Sequence, residues 1–127
     1  MRSGLAIAAA LAALAACGED GDPNQRDDVQ KVVEDFALAD GPEACELLGG
    51  QALEDNYGGR DYATGKKRCE RAADRFEGAR IEINRVRITS DTTARVDAEQ
   101  AGRLYVVSLS KPQDDWVIER IIQQRRE

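Results

Sequence analysis

The feature that most constrains this chain is a change of hydrophobic period at Gly78. Before it, apolar residues recur at helical spacing; after it, they alternate. Val29, Val32, Val33 and Phe36 keep the i, i+3, i+4, i+7 spacing of one helix face from Asp27 onward, with Asp27 or Asp28 available as the cap. Ala44, Cys45, Leu47 and Leu48 form a second stripe, opened by Gly41-Pro42 and stopped by Gly49-Gly50. Residues 51–65 are glycine-rich and polar, with Tyr57 and Tyr62, and are expected to hold a turn or two. Thr64 then precedes a third helix with Cys69, Ala72, Ala73 and Phe76 on its apolar face, ended by Gly78.

Beyond Gly78, Ile81 and Ile83 alternate on one parity and Val86 and Ile88 on the other, which places a β-bulge near Asn84-Arg85. Ala94, Val96 and Ala98 alternate with Arg95, Asp97 and Glu99. Leu104–Leu109 reads as a more buried strand, and Trp116–Ile122 as the last one. Helices followed by a four-stranded meander imply an α+β domain, with the helices packed on one face of a curved antiparallel sheet. The length of 127 residues suits one such domain.

The N-terminus reads as an address. Arg2 is the only charge before Glu19, and residues 5–16 are all Leu, Ile or Ala. That is a short charged region and an apolar run in the proportions of a secretory signal. As a helix the run reaches only about 20 Å, less than the hydrocarbon core of about 30 Å. It ends in Leu14-Ala15-Ala16-Cys17, which resembles the lipobox of bacterial lipoproteins. The resemblance implies a signal peptide over residues 1–16, a diacylglycerol on the Cys17 thiol, and a mature protein anchored to the outer face of the cell membrane. Residues 17–26 then read as a flexible polar tether, with the domain over 27–127. Asp20-x-Asp22-x-Asn24 begins like a calcium loop but has Gln25 where glycine is needed and Lys31 where glutamate is needed, so no metal is expected.

With Cys17 lipidated, Cys45 and Cys69 remain, an even number in a compartment where disulfides persist. They read as a structural disulfide between the second and third helices; buried free thiols and a redox pair are the alternatives. The spacing lacks the Cys-x-x-Cys of redox motifs.

Chemistry is sparsely signalled. The absence of histidine removes imidazole bases and histidine metal sites, and a net charge of −6 argues against a nucleic-acid partner held by a broad positive field. Gly59–Lys67 lacks the spacing and the terminal Ser/Thr of a phosphate loop. Lys66, Lys67, Arg68, Arg71 and Arg75 give the third helix a basic side, balanced by Glu70 and Asp74, that reads as a solvated face, with anionic lipid or wall polymer as the minority alternative.

The lipobox, the Ala44-Cys45-Glu46-Leu47-Leu48 and Cys69-Glu70-Arg71-Ala72 pair, and the final Asp115-Trp116-Val117-Ile118 together resemble actinobacterial secreted lipoproteins with a nuclear-transport-factor-2-like domain (SnoaL-like, cystatin-like). The resemblance implies a pocket between the helices and a concave sheet. Tyr57, Tyr62, Tyr105 and Trp116 are the candidate lining residues, and no cofactor is implied. The favoured expectation is a non-enzymatic module, taking an apolar small molecule or an envelope protein. One alternative is a cofactor-free enzyme resembling ketosteroid isomerase, with Asp55 or Asp61 as base and a tyrosine donor. The other is an assembly subunit forming a homodimer through its sheet.

Overall fold

In the computed structural model, residues 20–125 are described. The signal segment, the lipobox and Cys17 lie outside them. Helix α1 spans Pro23–Leu38. Its start is signalled by chemistry that the apolar period did not contain: the Asp22 carboxylate accepts from the Asn24 N–H at 2.8 Å, and Pro23 occupies the first turn, where its missing N–H costs nothing. The chain is fastened even earlier. The Asp20 carbonyl accepts from the Ile88 N–H at 2.9 Å, and its carboxylate meets the Arg85 guanidinium at 2.8 Å. The tether reading of residues 17–26 is thereby corrected from Asp20 onward, and the helix start from Asp27 to Pro23.

A single helical turn, α2 (Glu43–Glu46), follows the Gly41-Pro42 turn. Gly49 does not stop it; Leu47 does. Leu47–Gly49 instead run beside the last strand, where the Ile118 N–H donates to the Leu47 carbonyl at 2.8 Å and the Gly49 N–H to the Ile118 carbonyl at 2.7 Å. Helix α3 (Gly50–Tyr57), about two turns long, falls in the glycine-rich segment expected to hold a turn or two, and buries Ala52 and Leu53. Helix α4 (Tyr62–Ala72) starts two residues before Thr64, because Asp61 is the cap and Thr64 supplies the N–H that it accepts, at 2.8 Å. A 3₁₀ turn, Ala73–Arg75, ends it.

The disulfide forms as expected. Cys45 on α2 and Cys69 on α4 are both fully buried, with their Cα atoms 5.9 Å apart. It ties together two helices that are too short to hold themselves.

Four antiparallel strands follow in the spatial order β1 (Glu82–Ser90), β2 (Thr93–Gln100), β3 (Arg103–Ser110), β4 (Val117–Gln124). Ile83 faces Ala98 and Arg85 faces Asp97, so Asn84 is the extra residue of a bulge, and Ile81, Ile83, Val86 and Ile88 all pack against the core. Ala101 and Gly102, both at positive φ, join β2 to β3 in the manner of a type I′ hairpin. Helix α1 lies across β1, β2 and β4, and α3 packs on β4. The core between them includes Val29, Val33, Leu53, Val96, Val107, Leu109 and Ile118.

Gly78 has a different task from the one its position suggests. A Cβ there would collide with the backbone carbonyl of Leu38, and the neighbouring Ala79 N–H donates to the Ala37 carbonyl at 2.8 Å. The crossing from α4 to the sheet thus passes in contact with the end of α1. Gly78→Ala is expected to lower stability by about 1–3 kcal/mol, the range for forcing atoms into a packed contact. Urea denaturation checks this; a midpoint equal to that of the starting protein would contradict the close approach.

Candidate functional site

Helix α1 does not close fully on the sheet. A cavity of about 220 Å³ remains, walled by Val33, Phe36 and Ala37 from the helix, Ile81 from the strand entry, and Tyr105, Val107, Ile118 and Ile121 from β3 and β4. Gln100 lies at its rim. Its amide donates to the Ala79 carbonyl at 3.1 Å, which fixes the loop that carries Ile81. The lining is apolar because the inward positions of β3 and β4 face the i, i+3, i+4 stripe of α1. No carboxylate is among the described lining residues. A larger, open groove of about 890 Å³ adjoins it at Ile81 and Gln100, between the end of α1 and the β2–β3 hairpin, with Glu34, Asp35, Glu82 and Glu99 along it.

The four residues proposed from sequence as a pocket are not brought together. Tyr105 lines the cavity. Tyr62 is 49% exposed and faces a separate depression beside Gly49, Pro112 and Glu119. Tyr57 is half-buried against the core at the end of α3, and that burial pushes its phenol above the ordinary value. Trp116 is a buried core residue whose ring lies under the Lys111 ammonium, 5.5 Å from centroid to nitrogen; its indole N–H has no hydrogen-bond partner among the described residues, and it lines none of the depressions described. Phe36, Ile121 and Gln100 were missed. Phe36 was visible as a stripe residue, but nothing in the sequence marks the cavity itself.

The candidate bases have other tasks. Asp55 is exposed and accepts from the Gln51 amide at 2.9 Å. Asp61 caps α4, and the Thr64 N–H that it accepts holds its carboxyl below the ordinary value of 3.8. A depressed carboxyl contributes stability that is complete above its unfolded value and is lost as pH falls through the lower folded one. The expected result is a fall in Tm on acidification below about pH 4. Asp61→Asn retains the cap, since asparagine serves as well there, and removes this share of the acid sensitivity. Thermal melts of both proteins across that range check it; identical acid profiles would count against the cap.

The remaining motifs are also absorbed by the fold. Asp20 and Asp22, the start of the supposed calcium loop, are engaged by Arg85 and by the Asn24 N–H. Residues Tyr62–Lys67 of the supposed phosphate loop are helical. On the basic side of α4, the Lys66 ammonium meets Glu46 at 2.8 Å and Arg68 donates to the Tyr57 carbonyl at 3.1 Å. Among the described residues no cluster of Cys, Asp and Glu could hold a metal ion, and no helix is long and apolar enough to cross a membrane.

No family model, curated protein or solved structure matches this chain. What it does must be argued from its own geometry.

Proposed function

We propose that the chain is an extracytoplasmic lipoprotein, anchored through Cys17, whose domain binds a small apolar group in the cavity beneath α1. That cavity is the observation that carries the reading. Its lining is hydrocarbon and one phenol, with Gln100 as the polar group at the mouth, which is the composition of a binding site. At about 220 Å³ it lies below the roughly 300–1,000 Å³ of pockets that enclose whole drug-sized ligands. It suits one ring or a short acyl segment. The lack of a carboxylate in the lining favours binding over proton abstraction. The Cys45–Cys69 bridge suits an oxidising compartment, and the resemblance to nuclear-transport-factor-2-like lipoproteins agrees with a helix-covered, cone-like sheet.

The binding test is methyl NMR of the full chain titrated with indole and with hexanoate. Expected are shifts at Val107, Ile118 and Ile121, and their loss in Ala37→Leu, which fills the space. Unmoved methyl signals with both probes would reject the cavity as a site. Anchoring is tested separately, by the mass of the native product. An intact N-terminal methionine would reject it.

A further inference from the structure

The sheet has a second face, turned away from the helices, and its register puts basic residues in line. Arg87 pairs with Arg95, Arg95 with Ser108, and Ser108 with Arg120, so three arginines and one serine form a single row across all four strands, about 14 Å long at the usual strand spacing. Like charges set opposite each other in neighbouring strands repel. Even so, the row contains no carboxylate. Among the described residues Arg95 is ion-paired only to Asp97, at 3.7 Å, and no ion pair joins Arg87 or Arg120 to an acidic group. In a chain of net charge −6 this is a local concentration of positive charge. Ile122, 47% exposed, stands on the same face one row away. The acidic residues of the face are Asp97, in the same row as Ile122, and Glu82 and Glu99, which pair at its other end.

The path of the chain adds a second, independent argument. Asp20 is hydrogen-bonded to Ile88 and ion-paired to Arg85, both on β1 and on either side of Arg87. Only two residues, Gly18 and Glu19, separate it from Cys17, so the three steps of chain reach about 11 Å at most. That is close to the Debye length at ordinary salt. A lipid on Cys17 would therefore hold the arginine end of the sheet within range of the head groups, whereas a tether running to Asp27 would have let the domain turn freely.

We propose that the outer face of the sheet docks on an anionic phospholipid surface, with Arg87, Arg95 and Arg120 on the lipid phosphates and Ile122 in the interface. This orients the domain so that the helices and the cavity mouth are presented away from that surface by the sheet between them. The proposal rests on the anchoring reading for its geometry, but its charge chemistry can be tested apart from it.

The full chain carrying Ser108→Cys, labelled there with an environment-sensitive dye, is mixed with phosphatidylcholine vesicles or with mixed phosphatidylcholine–phosphatidylglycerol vesicles containing a head-group quencher. Flotation reports anchoring; quenching reports contact of the outer face. Quenching is expected only on the anionic vesicles. The triple variant Arg87→Gln/Arg95→Gln/Arg120→Gln should lower the ratio of docked to undocked domain about 100-fold, at roughly fivefold per arginine. Lys67→Gln/Arg71→Gln/Arg75→Gln makes the same change in net charge in the helical layer and should leave quenching intact. Quenching that is equal on both vesicles, absent while the chain floats, or equally lost in the second triple variant overturns the docking surface and leaves anchoring standing. Arginine-dependent quenching on anionic vesicles without flotation on neutral ones overturns the anchor and leaves the surface. A chain that floats with neither vesicle overturns both.

Discussion

Reducing the Cys45–Cys69 bridge, or replacing both residues with alanine, is expected to lower the unfolding free energy by about 3.5 kcal/mol. The figure comes from closing a loop 24 residues in separation under the chain-entropy account. The location makes this disulfide matter more than its loop length alone suggests. It joins α2, a single turn, to α4, and between them α3 packs on the sheet at β4. A helix of four residues has no stability of its own, so without the bridge the segment Glu43–Tyr57 depends on the burial of Ala44, Leu48, Ala52 and Leu53, the two hydrogen bonds to Ile118, and the exposed contacts of Lys66 with Glu46 and of Arg68 with the Tyr57 carbonyl. For a domain of this size the loss corresponds to a fall in Tm of about 15–25 °C. Urea denaturation with and without reductant measures it. A change below about 1 kcal/mol, or two titratable thiols in the denatured, unreduced protein in excess of any at Cys17, would show that the bridge is not the staple of the helical layer.

The division into a helical half and a strand half was legible because burial of one face imposes a period, and a period survives in the sequence whatever the packing. The bulge was legible for the same reason: Ile83 and Val86 cannot both face the core without an extra residue between them. What escaped was structure that rests on polar local chemistry. Helix α3 has two buried side chains in eight residues and is bounded by Gly49 and Gly58, so its apolar signal is too short to show a period. The start of α1 rests on Asp22 and Pro23, with no apolar residue for a full turn beyond them. The cavity was not legible at all. Its walls come from α1, the residue preceding β1, and three strands, which no single segment of the sequence brings together. The three tyrosines and Trp116 fall in four different environments, and only Tyr105 reaches the site. The arginine row was hidden likewise, because residues 87, 95 and 120 become neighbours only through the pairing register of all four strands.

Ile118→Ala is expected to cost about 4 kcal/mol, near the upper end for deleting a buried aliphatic side chain. Ile118 is fully buried and stands opposite Leu109 within the sheet, while its backbone N–H and carbonyl both reach across to Leu47 and Gly49. It also walls the cavity beneath α1, so the space left by its side chain would merge with an existing void instead of being refilled by neighbours. Ile121, on the same wall but 39% exposed, loses far less apolar contact on truncation, and Ile121→Ala should cost no more than about 1 kcal/mol. The contrast between these two substitutions, three residues apart, tests the placement of α1 against the sheet: similar losses at both positions would mean that the helix does not cover β4 as described. The enlarged void gives a second readout. Indole, which should bind the native cavity as a single ring, is expected to raise the Tm of Ile118→Ala by more than that of the native chain, since it restores contacts that the substitution removed. Equal shifts would place the indole somewhere other than beneath α1.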